Sequence, residues 1–434
     1  MKAVEKKYLI PFILVTCCFA LWGFANDITN PMVKAFSKIF RMSVTDGALV
    51  QVAFYGGYFA MAVPAALFTK RFSYRSGILM GLGLYAIGAM MFLPARMTGS
   101  YYPFLIAYFI MTCGLSFLET SSNPYILSMG PEETSTRRLN LAQAFNPIGS
   151  LLGMFTAMKF IQAKLNPLSS SERALLSDAE FETVKASDLT VLSRPYIAIS
   201  AVLILVFILI LVVKMPKSAS LQDDSTKFLP TVRRLWANKK YRFGVIAQFF
   251  YVGVQIMCWT FIIQYGTRVF MNEGMAEQRA EVLSQSFNIA AMAIFCCSRF
   301  ICTFLLKFAS PSKLLGILAF AGGALTCGVI FIDGRLGLYC LVAVSACMSL
   351  MFPTIYGIAL GGLGEDAKLG AAGLIMAILG GSVLPPIQAS IIDMGKVCGL
   401  PAVNASFILP FICFVVIVMY ARYISRINRV PLSD

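Results

Sequence analysis

Apolar runs long enough to cross a bilayer recur along this 434-residue chain from one end to the other. That recurrence constrains the fold more than any single motif. A helix rises about 1.5 Å per residue, so about 20 apolar residues span the roughly 30 Å of hydrocarbon. Twelve runs meet this need, at roughly 8–36, 47–69, 76–94, 102–130, 139–162, 195–215, 242–271, 280–308, 312–333, 336–361, 370–393 and 404–425. With 58% hydrophobic and 13% charged residues, the chain is not an ordinary soluble domain. The expected fold is an all-α integral membrane protein of twelve transmembrane helices.

The first run is too long for a signal peptide and ends without a small-residue cleavage site, so it is expected to stay as the first span. A net charge of +15 suits nucleic acid at first sight, yet Lys and Arg fall mainly in the short connections. Taking alternate connections, 23 basic residues lie on the side of the N-terminus and 13 on the other. Basic residues favour the cytoplasmic side, which predicts a cytoplasmic-membrane protein with both termini inside, surrounded by lipid and not bound to nucleic acid. Nearly all twelve cysteines lie within apolar runs, without metal-ligand spacing. There is no histidine, so carboxylates are the candidates for carrying protons. Neither a metal or cofactor nor an enzyme is expected.

Weak internal echoes share one offset. Trp22 and Asp27 correspond to Trp259 and Gln264, and Lys70 to Arg75 corresponds to Lys307 to Lys313. Asn123-Pro-Tyr, Gly130-Pro-Glu-Glu133 and Gly149 correspond to Phe352-Pro-Thr, Gly364-Glu-Asp and Gly381. Six spans are thus repeated in parallel, giving two six-helix pseudo-repeat bundles at 1–213 and 242–434 around a cytoplasmic linker at 214–241. Parallel repeats of this kind carry a transport site at mid-membrane, where the repeats meet. In the linker, Phe228 to Trp236 has apolar and basic residues on opposite helical sides, which suits either a short helix on the membrane surface or a solvated basic loop. The one long polar connection on the outer side is 163–194, and Ser169-Ser-Ser-Glu172 has the pattern of a helix cap.

A carboxylate in the apolar run 102–130 is the strongest single pointer to function. Glu119 lies at least about 17 Å of helix from either end of that run. An intramembrane carboxylate is costly and marks ion or proton pathways. Burial disfavours the charged form of a carboxyl, so such a group carries a proton at neutral pH and releases it when water enters. The other reading is a protonated Glu bonded to a neighbouring helix, with Thr120, Ser121, Ser122 and Asn123 at hand. Asp27 sits in the first span beside Asn26, Thr29 and Asn30-Pro31, about 13 Å from its outer end, as a cavity residue or as an interfacial one.

Gln143 and Asn146 are three apart and share a helix face. Amides both donate and accept, as the vicinal hydroxyls of a sugar require. Span 7 carries Gln248, Tyr251, Gln255 and Trp259 at spacings of three or four, a polar and aromatic stripe suited to stacking on a pyranose and reading its hydroxyls. The alternative is polar residues that bind helices together. Trp22 and Gln51 to Tyr55 are further candidates from spans 1 and 2. Arg299 is the one basic residue well inside an apolar run, with no second cation at that depth, so it is expected to bond helix carbonyls, Glu365 or Asp366, and the substrate is expected to be neutral.

These motifs resemble the fucose permease branch of the major facilitator superfamily, the fucose–galactose–glucose:proton symporters. The likeness runs over nearly the whole chain. It rests on Gln51-Val-Ala-Phe-Tyr-Gly-Gly-Tyr-Phe59 with Pro64-Ala65, Ser73-Tyr74, Leu118-Glu-Thr-Ser-Ser-Asn-Pro124 and Arg138-Leu-Asn-Leu-Ala-Gln143 with Phe145-Asn146. In the second half it rests on Ala247-Gln-Phe, Tyr251-Val-Gly-Val-Gln255 and Cys258-Trp259. The resemblance implies that Glu119 is the coupling or sugar-contacting Glu, that Gln143 and Asn146 form the polar site of span 5, and that Asp27 is the span-1 protonation site. Three positions depart from the family pattern. Trp22 and Asp27 stand about one turn closer than is usual, Lys70 stands where Asp is usual, and Phe352 stands where Tyr precedes the Pro.

The expected function is a monomeric sugar:proton symporter importing a neutral hexose or deoxyhexose such as L-fucose by alternating access. The alternatives are a sodium-coupled glucose or galactose carrier and, from another class, a membrane sugar sensor that does not transport.

Overall fold

The computed structural model describes residues 8–130, 141–143, 145–216, 228–305, 308–363 and 366–427. Arg138 and Asn140 of the span-5 motif, Pro131 to Glu133, Lys307, Gly364 and Glu365 lie outside them.

In chain order the first half contains α1 (Leu9–Thr29), α2 (Met32–Ile39), α3 (Val44–Gly47), α4 (Leu49–Arg71), α5 (Tyr74–Met90), α6 (Phe92–Thr98), α7 (Tyr102–Leu127), α8 (Phe145–Thr156), α9 (Ser170–Ala174) and α10 (Asp178–Val212). The second half contains α11 (Phe228–Ala237), α12 (Lys239–Asn272), α13 (Glu277–Leu305), α14 (Pro311–Phe331), α15 (Arg335–Met348), α16 (Met351–Leu360), α17 (Ala367–Met376), α18 (Gly380–Ile392), α19 (Ala402–Ala405) and α20 (Ile408–Ile427). A two-residue strand pair, Lys396–Val397 with Leu400–Pro401, precedes α19. Eleven helical segments are long and apolar enough to cross a membrane among the described residues. The remaining expected span, 139–162, is α8 continued by a π-helical turn, Ala157–Ile161, and a 3-10 turn to Lys164.

Several boundaries differ from the sequence expectation for physical reasons. Span 1 is cut at Asn30-Pro31, because proline has no N–H to continue the ladder. Span 6 begins at Asp178 and not at 195, because Ser177 and Glu180 form a capping box that starts the helix outside the apolar run. Span 10 is broken between α15 and α16, and span 11 by a 3-10 turn at Ala377–Leu379.

The chain forms two compact units, Met1–Met42 with Leu49–Asp224, and Ser43–Ala48 with Ser225–Asp434. Each unit holds its first and fifth crossings together through glycines. In the first, a Cβ on Gly149 of α8 would stand 1.8 Å from the Ala20 carbonyl, and one on Gly23 of α1 would stand 2.1 Å from the Asn146 carbonyl. In the second, a Cβ on Gly380 of α18 would stand 1.9 Å from the Phe249 carbonyl, and one on Gly253 of α12 would stand 2.1 Å from Leu384 Cδ1. Small residues let helix backbones meet where lipid supplies no hydrophobic drive. The paired glycines are 230 and 231 positions apart, close to the offset of the sequence echoes.

The outer connection of the first unit is packed. Ser169 and Glu172 form the expected capping box of α9. Arg173 is fully buried, pairs with Asp188 at 2.6 Å and donates to the Leu168 and Asn166 carbonyls. Arg41 donates to the Arg173 carbonyl and lies 3.6 Å from the centroid of the Phe181 ring. On the other face of this unit Arg75 donates to the Leu211 carbonyl at 2.7 Å, which satisfies an open carbonyl at the end of α10.

In the second unit Phe228 to Trp236 is helical, as one of the two sequence readings has it. The helix α11 buries Thr231 and Leu235 while Val232 and Trp236 stay exposed. Arg234 fixes it with two bonds to Asp366, at 2.7 and 2.9 Å.

Candidate functional site

In the first unit, Gln143 is bonded to α7, while Asn146, three residues on, is bonded to α1. Asn123 donates to the Glu119 carbonyl one turn earlier at 3.1 Å, and Gln143 donates to the Asn123 side-chain oxygen at 3.1 Å. Asn146 donates to the Phe19 carbonyl of α1 at 3.2 Å, and Ser150 reaches the Gly23 carbonyl at 3.4 Å. The glycine crossing of α1 and α8 sets these last two contacts.

Glu119 is buried, and its Oε2 has no hydrogen-bond partner among the described residues. A carboxylate accepts through both oxygens, so this atom is a free proton acceptor or, when protonated, a free donor. The bond between Glu119 and a neighbouring helix that was the structural alternative is not formed at this atom.

Asp27 is buried and accepts from Asn30 at 2.9 Å, inside the break that Pro31 makes. It is not in the Glu119 cluster. On α4, Tyr55 and Tyr58 are both buried. Their rings are stacked, with centroids 6.4 Å apart and planes at 21°. Tyr58 also donates to Asn26 at 3.4 Å. Tyr58 has no role of its own among the residues expected from the sequence. The signal was its three-residue spacing from Tyr55, which puts both rings on one helix face.

In the second unit the stripe on α12 divides. The Tyr251 hydroxyl donates to the Met348 carbonyl at 3.0 Å. Trp259 donates from Nε1 to Ser345 at 3.1 Å, with its ring edge-on to Phe295 at 5.0 Å. Both side chains therefore bind α12 to α15. Gln248 is fully buried with neither amide atom partnered among the described residues, and Gln255 is half-buried. Arg299 donates to the Ser349 carbonyl at 3.4 Å, one of the carbonyls that the break between α15 and α16 leaves open. Asp366 instead pairs with Arg234. Phe352 stacks on Tyr356 at 6.2 Å and meets Tyr251 edge-on at 6.1 Å.

Residues 15–386 match the model of the Major Facilitator Superfamily. The chain belongs to the major facilitator superfamily. It is 53% identical over 427 residues to an L-fucose-proton symporter of Haemophilus influenzae, covering 96% of this chain and 97% of that one. The L-fucose-proton symporter of Escherichia coli is 33% identical over 97% of this chain and 94% of its own. A glucose/galactose transporter of Brucella abortus is 28% identical over 97% and 96%. Among solved structures, the major facilitator FucP in its outward conformation superposes with a TM-score of 0.72 at 33% identity, over 96% of this chain and 99% of that one. The fold is thus the twelve-helix major facilitator fold, and the likeness to the fucose permease branch read from the motifs holds across the chain.

Proposed function

We propose that this membrane protein is a sugar:proton symporter that imports a neutral deoxyhexose, L-fucose, by alternating access of its two six-helix halves. It works as a monomer in the cytoplasmic membrane, with both termini inside and no cofactor. The observation that carries the reading is the unpartnered Glu119 Oε2 beside the linked amides of Asn123 and Gln143. It sets a proton-exchanging group next to groups that read hydroxyls. The names of the 53% and 33% identical relatives, both L-fucose-proton symporters, support the same substrate and ion.

Glu119, Asn123, Gln143 and Asn146 contact the sugar in the first unit, with Gln248 and Gln255 in the second, while Tyr251 and Trp259 hold the helix that carries those glutamines. Glu119 and Asp27 share the proton. Counterflow of radiolabelled L-fucose, galactose, glucose and mannose in proteoliposomes tests the substrate. Exchange of L-fucose, competed best by unlabelled L-fucose, is expected. Exchange of glucose or galactose in its place would replace this reading with the glucose and galactose carrier.

A further inference from the structure

We propose that α13 carries a second binding site for the hydroxyls of the substrate, built by Gln285 and Asn288 with Thr267 of α12. The inference rests on the reading of a hydroxylated neutral substrate and adds contacts that neither the motifs nor the first cluster supplies.

Gln285 and Asn288 are 0% exposed and Thr267 is 2% exposed. Both polar atoms of each amide and the threonine hydroxyl lack a hydrogen-bond partner among the described residues. Leaving a buried polar group unmade is costly, so native interiors pair nearly all of them. Five such atoms at one place need a ligand or ordered water.

Geometry brings them to one place. The connection from Asn272 to Glu277 is short, so α12 and α13 are antiparallel neighbours. They touch where a Cβ on Gly266 would stand 2.5 Å from Ser284 Oγ. In an antiparallel pair, the residue after the contact turns to the same flank on both helices, which puts Thr267 and Gln285 on one side. Asn288 is three residues beyond Gln285 and shares its face. By helical rise the three lie within about 8 Å along the helix axes. Glu281, also buried, is one turn earlier on the same stripe.

The unpaired atoms select the ligand class. A cation would pair with the amide oxygens and leave both NH2 groups without acceptors, and an anion would do the reverse. A hydroxyl donates and accepts at once, so vicinal hydroxyls satisfy both ends of both amides.

The test is equilibrium binding of L-fucose and its monodeoxy analogues to the purified full chain, with Gln285→Ala and Asn288→Ala. Each variant is expected to bind L-fucose about three- to tenfold more weakly while keeping wild-type affinity for one analogue, the one lacking the hydroxyl that the residue reads. If an alanine variant does not fold, Gln285→Met and Asn288→Leu keep the size and remove both polar ends of the amide, with the same loss expected. Variants that fold normally and bind as wild type, or that weaken every analogue equally, would show that these amides only hold water or helices. Wild type that binds L-fucose with unchanged variants overturns this site alone. Wild type that binds none of the sugars overturns the sugar reading together with it.

Discussion

Gln143 donates its side-chain amide to the Asn123 oxygen across 3.1 Å, which joins the helical turn ahead of α8 to the helix that carries Glu119. Because Asn123 spends its own NH2 on the Glu119 carbonyl, the pair is held by α7 before any substrate arrives. A site built on helices in this way keeps its geometry better than one built on loops.

Gln143→Ala should therefore fold normally and bind L-fucose more weakly, by about 0.5–1.5 kcal/mol for one neutral hydrogen bond. Asn146→Ala should lower affinity and also the thermal midpoint, because its amide bonds the α1 backbone at Phe19. Binding titrations and melting curves of the purified variants separate the two effects.

Gly149→Ala should damage the first unit, since its Cβ would stand 1.8 Å from the Ala20 carbonyl and the backbones of α1 and α8 would have to part. Overpacking typically costs about 1–3 kcal/mol. Gly380→Ala should act likewise in the second unit against the Phe249 carbonyl. Gly274→Ala is the contrast: its φ of +88° strains any side chain, but nothing lies within 4 Å, so a smaller fall is expected. Thermal unfolding followed by cysteine reactivity reads all three.

Trp259 should be a quiet reporter, because its N–H is held by Ser345 and its ring is edge-on to Phe295. In a protein with Trp22 and Trp236 replaced by Phe, L-fucose should change its emission little, while Ser345→Ala should shift it. A large sugar-dependent quench would instead put the indole in contact with substrate.

How far the sequence could be read depended on how local each cause was. The capping box of Ser169 and Glu172 was legible because both partners lie within one turn. The role of Trp259 was not, because Ser345 is 86 residues away and the spacing of the stripe only says that the residues share a face. The stripe of Glu281, Gln285 and Asn288 has helical spacing, but the run that holds it satisfies a membrane span by length alone, so the sequence does not single out its polar face. Asp27 was half-legible. The Asn30-Pro31 break foretold irregular backbone, but not that the Asn30 amide would donate to the Asp27 carboxylate within it.

The Arg234 and Asp366 pair gives a prediction with a sign. The Arg234 guanidinium holds the Asp366 carboxyl below its usual range. A lowered carboxyl contributes above its unfolded value, about pH 3.9, and loses that contribution as pH falls through the folded value. Docking of α11 should therefore be constant from neutral pH down to about pH 4 and loosen only in stronger acid. Proteolysis of the linker should be unchanged across that window in the native chain and faster at neutral pH in Asp366→Asn.

The central claim is that Glu119 and Asp27 couple sugar to protons, and gradient-driven uptake tests it most directly. Proteoliposomes given an inward proton gradient, and separately a sodium gradient, are assayed for L-fucose accumulation and for counterflow with native chain, Glu119→Gln and Asp27→Asn. Accumulation by the native chain should follow the proton gradient alone. At least one variant should lose it while still exchanging sugar, because a neutral amide imitates the protonated carboxyl permanently. Proton-driven accumulation at the native level in both variants, or accumulation driven by sodium, would contradict the account.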